Sequence, residues 1–306
     1  MNTATQTSAP MRWSLALPTD LVDRGEEFGT AQAITEMAAA LEAAGADACH
    51  VSDHPYPPAS WVAQGGHHTL DPLVTLTCAA AATRRLILHT NILVLGYRHP
   101  VLAAHSLATL DALTGGGRLI VGTAVGYLEP EFDALGADFH RRGARLDEAI
   151  ATMKDAWAGA EGKHGNVLRP LPATRPHPPL WLGGNSKAAI RRAVASAQGW
   201  MPFPARGGFA AAVRTVELAD LADLRRGIAS LRAAADAAGR EEPIDICCAP
   251  FTHPHHRDRF EPRLLVEEAA RMRELGVTWM SLRLPAPSRA GYLENVERFG
   301  AEVLRT

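Results

Sequence analysis

LILHTNILVL (86–95), HPVLAAHSLATLDALT (99–114) and RLIVG (118–122) decide how this chain folds. The first and third stretches are apolar without a polar residue at every second position, which is the signature of parallel strands covered on both faces rather than of an antiparallel edge facing water. Between them Ala103, Leu107 and Leu110 recur at i, i+4 and i+7, the spacing of one helical face. Pro100 suits the first helical position, and Gly115, Gly116 and Gly117 stop the helix. Parallel neighbours need a long crossover, and a helix of this length supplies it.

Outward from that unit the same alternation continues in both directions. Strands are expected at 13–17, 48–52, 179–183, 200–203, 244–248 and 278–284. Helical stripes fall at Ile34, Met37, Ala38 and Leu41; at 72–82; at Leu146, Ile150, Met153 and Trp157; and at Ile190, Ala193, Val194 and Ala197. Further helices are expected over 218–238, around Leu265, Ala269 and Met272, and around Val296, Phe299 and Val303. Eight strands alternating with eight helices make an α/β chain of the TIM (β/α)8 type, expected as one domain over 12–306 after a flexible tail at 1–11. Residues 159–179 have no period and read as an insertion before strand five. An open, doubly wound sheet is the alternative.

The 306 residues are 47% hydrophobic and 21% charged, enough apolar material for a large core. A formal net charge of −2 gives no general attraction to nucleic acid or anionic membrane. No apolar run approaches the ~18 residues of a membrane span, and the first residues lack a secretory signal's apolar centre, so a cytoplasmic location is expected. Cys49, Cys78, Cys247 and Cys248 have neither metal-site nor disulfide-framework spacing and read as reduced core thiols.

A barrel puts function at the carboxyl ends of its strands. Those ends include Asp53 and His54, the segment 94–99 with Arg98 and His99, the segment 123–129, and Gly183 to Ser186. After strand seven stand His253, His255, His256, Arg257 and Arg259, without the carboxylate partner or helical spacing that a metal site wants; no metal is expected. A basic loop meeting an acidic substrate group, or a merely solvated loop, remains open, and the same holds for His67 and His68.

Four runs carry a specific resemblance: VSDH at 51–54, TNILVLGYRHPVLAAHSLATLDALTGGGRLIVGTAVGYLEPEFDALG at 90–136, RGARLDEAI at 142–150 and PPLWLGGNSKAAIRRA at 178–193. Together they resemble the luciferase-like superfamily, and within it the branch of oxidoreductases that depend on the deazaflavin coenzyme F420. The resemblance implies a TIM barrel, a small-molecule substrate, a cofactor lying across the carboxyl face, and a homodimer. It implies a non-proline cis bond at Asn91-Ile92 beneath the cofactor ring, with Gly126 close by, and a polar pair beside the ring. There Asp53 would accept from ring N–H groups, and His54 would carry a proton near neutral pH. His89 departs from the glycine common at its position. Tyr127 stands where sugar-phosphate dehydrogenases of this branch have an acid, with Glu129 as a possible substitute. Gly183, Gly184, Asn185 and Ser186 open a helix, either as a site for a cofactor phosphate or as a glycine turn with a plain Ser or Asn cap. The leading expectation is F420-dependent hydride transfer. The alternatives are an FMN-dependent monooxygenase and a barrel that binds flavin or a metabolite without turnover.

Overall fold

The computed structural model describes residues 10–252 and 260–305. Eight parallel strands close into a barrel in chain order, with β8 returning to β1. The first half runs β1 (Arg12–Ala16), α1 (Ala31–Ala44), β2 (Ala48–Val51), α2 (Ala59–Ala63), α3 (Pro72–Ala82), β3 (Ile87–Leu93), α4 (Pro100–Leu113), β4 (Leu119–Thr123), α5 (Glu129–Ala134) and α6 (Arg142–Trp157). The second half runs β5 (Leu180–Gly183), α7 (Lys187–Ser196), β6 (Gly199–Met201), α8 (Gly207–Ala212), α9 (Leu221–Ala237), β7 (Asp245–Cys248), α10 (Pro262–Leu275), β8 (Trp279–Leu282) and α11 (Arg289–Phe299). The TIM barrel is therefore the observed fold, and the open sheet is set aside. Short helices α2 and α8, which the sequence pattern did not suggest, stand in the loops after β2 and β6, and the long helical stretch after Tyr127 is divided into α5 and α6.

Local chemistry explains the helix limits. Thr30 accepts from the Ala33 N–H at the start of α1, and Asp71 accepts from Leu73 and Val74 ahead of Pro72 in α3. Gly45 and Gly276, with φ of 96° and 104°, end α1 and α10 in the left-handed conformation that side chains resist. The apolar run of strand three continues through Leu95, whereas pairing ends at Leu93 and residues 95–97 form a 3-10 turn. Val94 and Leu95 remain buried there, so the run reports burial beyond the sheet.

Outward strand residues pack on the helices in one large core, in which Trp157 also donates its Nε1–H to the Ala104 carbonyl at 2.9 Å, tying α6 to α4. Inside the barrel Ala48, Ile120, Trp181, Met201, Cys247 and Trp279 form a second apolar cluster. Residues 159–179 contain neither helix nor strand. They are fastened at Thr174, whose N–H and hydroxyl both donate to the wholly buried Asp111 of α4, at 2.7 and 2.6 Å.

Candidate active site

A cavity of about 380 Å³ opens at the carboxyl ends of the strands. Its volume falls within the roughly 300–1,000 Å³ usual for small-molecule sites. One wall is β3, where the register shifts between Thr90 and Leu93 and the Asn91–Ile92 peptide is cis. Opposite Ile92 lies Gly183, where a Cβ would stand 3.4 Å from Ile92 Cγ2 and 3.2 Å from Ala124 Cβ. The missing side chain keeps a slot open between β3, β4 and β5.

His54, Tyr127, Asp53, Asn91, Ile92, Gly126, Gly183, Gly184 and Ser186 all line this cavity; Asn185 does not. Asn185 instead brackets two loops: its Oδ1 accepts from the Phe203 N–H at 3.0 Å, and its Nδ2 donates to the carbonyls of Phe203 and Val216, both at 2.9 Å. Its amide is engaged between these loops and does not face the cavity. The Gly184 N–H likewise goes to the Met201 carbonyl, and the Asn185 N–H to Thr215 Oγ1. Two of the loop amides expected to hold an anion, those of Gly184 and Asn185, are thus already used.

What remains is the first turn of α7, where a helix leaves N–H groups without internal partners, together with Ser186 as its N-cap. Three guanidinium groups, Arg142, Arg192 and Arg214, line the same side of the cavity. Arg192 is held by Asp147 at 2.7 and 3.1 Å, and Arg214 by Glu129 at 2.7 Å. Arg142 lies 3.9 Å over the Phe139 ring, and its buried Nε has no partner among the described residues. Glu129 therefore steadies Arg214 and does not stand in for an acid at position 127.

Asp53 is buried, with both oxygens committed inside the protein. Arg98 grips it through two bonds of 2.6 and 2.9 Å, and the Val94 N–H donates to it at 2.9 Å. It ties the end of β2 to the end of β3 while also lining the cavity. Arg98 is accordingly no free anion receptor, and His99 is the exposed N-cap of α4, accepting from the Val101 N–H at 3.3 Å.

His54 and Tyr127 do come together, and Glu131, which the sequence did not single out, stands behind His54. His54 Nδ1 lies 3.1 Å from Glu131 Oε2, and Tyr127 Oη lies 3.2 Å from His54 Nε2. Glu131, in α5, is wholly buried and also accepts from the Tyr56 N–H at 2.9 Å and the Tyr97 hydroxyl at 2.8 Å. Burial alone raises the Glu131 pKa, but the hydrogen bonds from His54, Tyr56 and Tyr97 outweigh it and hold the carboxyl below its usual range. An ionised Glu131 can only accept, so His54 carries its proton on Nδ1 and its Nε2 accepts from the Tyr127 hydroxyl. Burial, and then the Glu131 charge, push the Tyr127 phenol up to about 12. Trp61 and His67 flank the imidazole at 4.7 and 5.1 Å between ring centres, and Thr69 Oγ1 accepts from the His54 backbone N–H at 2.9 Å. The site thus presents a phenol backed by an imidazole and a carboxylate.

The cluster at His253, His255 and His256 lies outside the described residues. Among the described residues no group of His, Cys, Asp and Glu has metal-binding geometry, and no helix is long and apolar enough to cross a membrane.

Comparison with known proteins agrees with this architecture. The monooxygenase RslO1 from Streptomyces bottropensis superposes with a TM-score of 0.76 at 20% identity, over 96% of this chain and 99% of its own. In sequence, a dimethylsulfone monooxygenase of Pseudomonas putida described as FMNH2-dependent is 38% identical over 36% of this chain and 32% of its own length. An F420-dependent glucose-6-phosphate dehydrogenase of Rhodococcus jostii is 34% identical over 44% of this chain and 40% of its own. The sequence pattern of one family spans residues 11–259, which takes in seven of the eight strands and every residue that lines the slot between Ile92 and Gly183, so the chain belongs to the luciferase-like monooxygenase family.

Proposed function

We propose that this protein is an F420-dependent oxidoreductase that moves a hydride to or from a small substrate bearing a hydroxyl or carbonyl group. The observation that carries the reading is the Glu131–His54–Tyr127 chain opening on the cavity. Exchanging a hydride between an alcohol and its carbonyl also requires a proton to leave or reach the oxygen, and this chain is built to handle one. F420, when bound, supplies the ring carbon that accepts or gives the hydride.

The residues present fit such a cofactor. The slot beside Ile92 and Gly183 suits a flat ring, and Arg142, with its buried, unpartnered Nε, and Ser186 at the start of α7 both line the cavity and suit a phosphate. In the oxidative direction Tyr127 Oη receives the substrate's hydroxyl proton as it passes its own to His54 Nε2. Glu131 stabilises the imidazolium that forms. The reverse direction runs the same protons outward. Asp53, held by Arg98, keeps β2 and β3 in register beneath this path.

A second reading is favoured by the partial similarity to the FMNH2-dependent monooxygenase. Titration with F420 and with FMN, followed by fluorescence, and oxygen uptake with reduced FMN separate the two. Binding of F420 with substrate-dependent change in its absorbance and no oxygen uptake is the expected result; oxygen uptake coupled to substrate with FMN alone overturns it.

A further inference from the structure

Below the mouth of the cavity, three polar side chains that the proton path does not use meet inside the barrel. Ser14 of β1 and His89 of β3 are wholly buried, and His50 of β2 is 8% exposed and lines the cavity floor. Ser14 Oγ lies 3.0 Å from Nδ1 of His50 and 3.0 Å from Nδ1 of His89. A hydroxyl has one proton, so it donates to one imidazole and accepts from the other. The two histidines must then be opposite tautomers.

The surroundings of His89 decide which is which. Its Nε2 is buried without a partner and abuts β4 at Gly122, where an added Cβ would stand only 3.0 Å away. A proton on that nitrogen would be a buried donor without a hydrogen-bond partner, which folded proteins tolerate less well than an unused acceptor. His89 therefore carries its proton on Nδ1 and donates to Ser14, and Ser14 donates to Nδ1 of His50. His50 is left with its proton on Nε2, on the cavity side. Burial, followed by the charges of His89 and Arg283, depresses the His50 pKa well below its usual value, and burial lowers that of His89 to about 3. Both rings stay neutral through the physiological range. Arg283, the charged group on this side of the cavity, is paired with Asp20 at 2.6 Å.

We propose that His50 is a fixed-tautomer donor whose Nε2–H binds a carbonyl oxygen of the ligand on the cavity floor, with Ser14 and His89 as positioning residues that set the tautomer. This rests on the reading above in placing a cofactor and a substrate in the cavity. The carbonyl belongs either to the cofactor's pyrimidine ring or to the substrate. A neutral donor beside a compensated ion pair recognises such an uncharged acceptor better than a carboxylate, which the arginines across the cavity suit instead.

Long-range proton–nitrogen NMR of the full chain labelled with 15N-histidine tests this, with the His50 signals assigned through His50→Gln. Without ligand, His50 is expected protonated at Nε2 and His89 at Nδ1 from mildly acidic to mildly alkaline pH; the opposite pair overturns the proposal. Ser14→Ala is expected to give a mixture of His50 tautomers, and retention of a single tautomer removes the role of Ser14. F420, FMN and then cyclohexanone are added in separate arms. A downfield move of the His50 Nε2 proton with either cofactor alone assigns the ring carbonyl, and a move with the ketone only assigns the substrate. No move in any arm overturns the proposal. Absence of cofactor binding by fluorescence counts against the proposed function, whereas binding with the His50 proton unmoved throughout counts against this inference alone. His50→Gln, which keeps an N–H, is expected to hold the affinity of the responding ligand, and His50→Phe to weaken it by about tenfold.

Discussion

His54 and Glu131 lie 77 residues apart in the chain, and their side chains meet at 3.1 Å in a buried contact. The contact fixes which nitrogen of His54 is free to take a proton, and it puts a counter-charge behind the imidazolium. Replacing His54 with Asn keeps polarity and removes the imidazole. The expected result is a loss of about 10² to 10⁴ in the single-turnover rate of cofactor oxidation or reduction, with cofactor affinity nearly unchanged. A variant that binds cofactor normally and turns over at the wild-type rate removes His54 from the proton path.

Glu131→Gln tests the carboxylate. Because the folded state holds Glu131 below its usual pKa, its ionised form contributes stability that is fully present above the unfolded value of about 4.3 and is lost as pH falls through the folded value. Urea midpoints taken between about pH 6 and pH 3 should therefore fall less steeply in the variant than in the wild type. Parallel profiles would mean that Glu131 is not the group that titrates.

Eight strands could be read from apolar runs because parallel strands are buried on both faces, and burial is what such runs record. The sequence equally marked His54 and Tyr127 at strand ends. Glu131 escaped because nothing in EPEFDA distinguishes it from its neighbour Glu129: one is wholly buried, the other half-exposed and paired with Arg214. Only tertiary structure selects between them. Asn185 shows the same dependence on tertiary structure. A polar residue after a glycine pair suits an anion loop, but here its amide replaces missing backbone pairing between the loops after β5 and β6.

Asp53 and Arg98 form a nearly buried pair, the carboxylate 1% and the guanidinium 20% exposed. Arg98→Leu leaves that carboxylate without its counter-ion and should lower stability by about 3 kcal/mol in urea unfolding. Asp53→Asn together with Arg98→Leu should recover part of the loss, since no buried charge remains unpaired. A double variant no more stable than Arg98→Leu would show that the charge is not what the arginine compensates.

The proposed phosphate position is tested without turnover. Arg142→Met and Ser186→Ala should each weaken FMN binding, by about 1 to 2 kcal/mol, as expected for a lost hydrogen bond to a charged group. Riboflavin, which lacks the phosphate, should bind the variants and the wild type alike. Equal weakening for riboflavin would place the phosphate elsewhere and leave these residues a general packing role.

In the proposed reaction Tyr127 is the member of the chain that touches substrate, and the direction of its pKa shift sets how it would work. With the phenol pushed up to about 12 it is protonated below about pH 10, so the proposal has it pass a proton on and not stand as a phenolate. A pKa above the unfolded value of about 10 adds stability that is present below pH 10 and is lost as pH rises through the folded value. Tyr127→Phe removes the relay but leaves His54 and Glu131 in place. The single-turnover rate should fall by about 10² and the affinity for cofactor should hold, because the relay acts only when the proton moves. The pH dependence of the remaining activity below about pH 9 should match the wild type, since Tyr127 does not ionise there. Should the variant instead lose an ionisation seen near neutrality, Tyr127 would be the titrating group and the direction of the relay would have to be reversed.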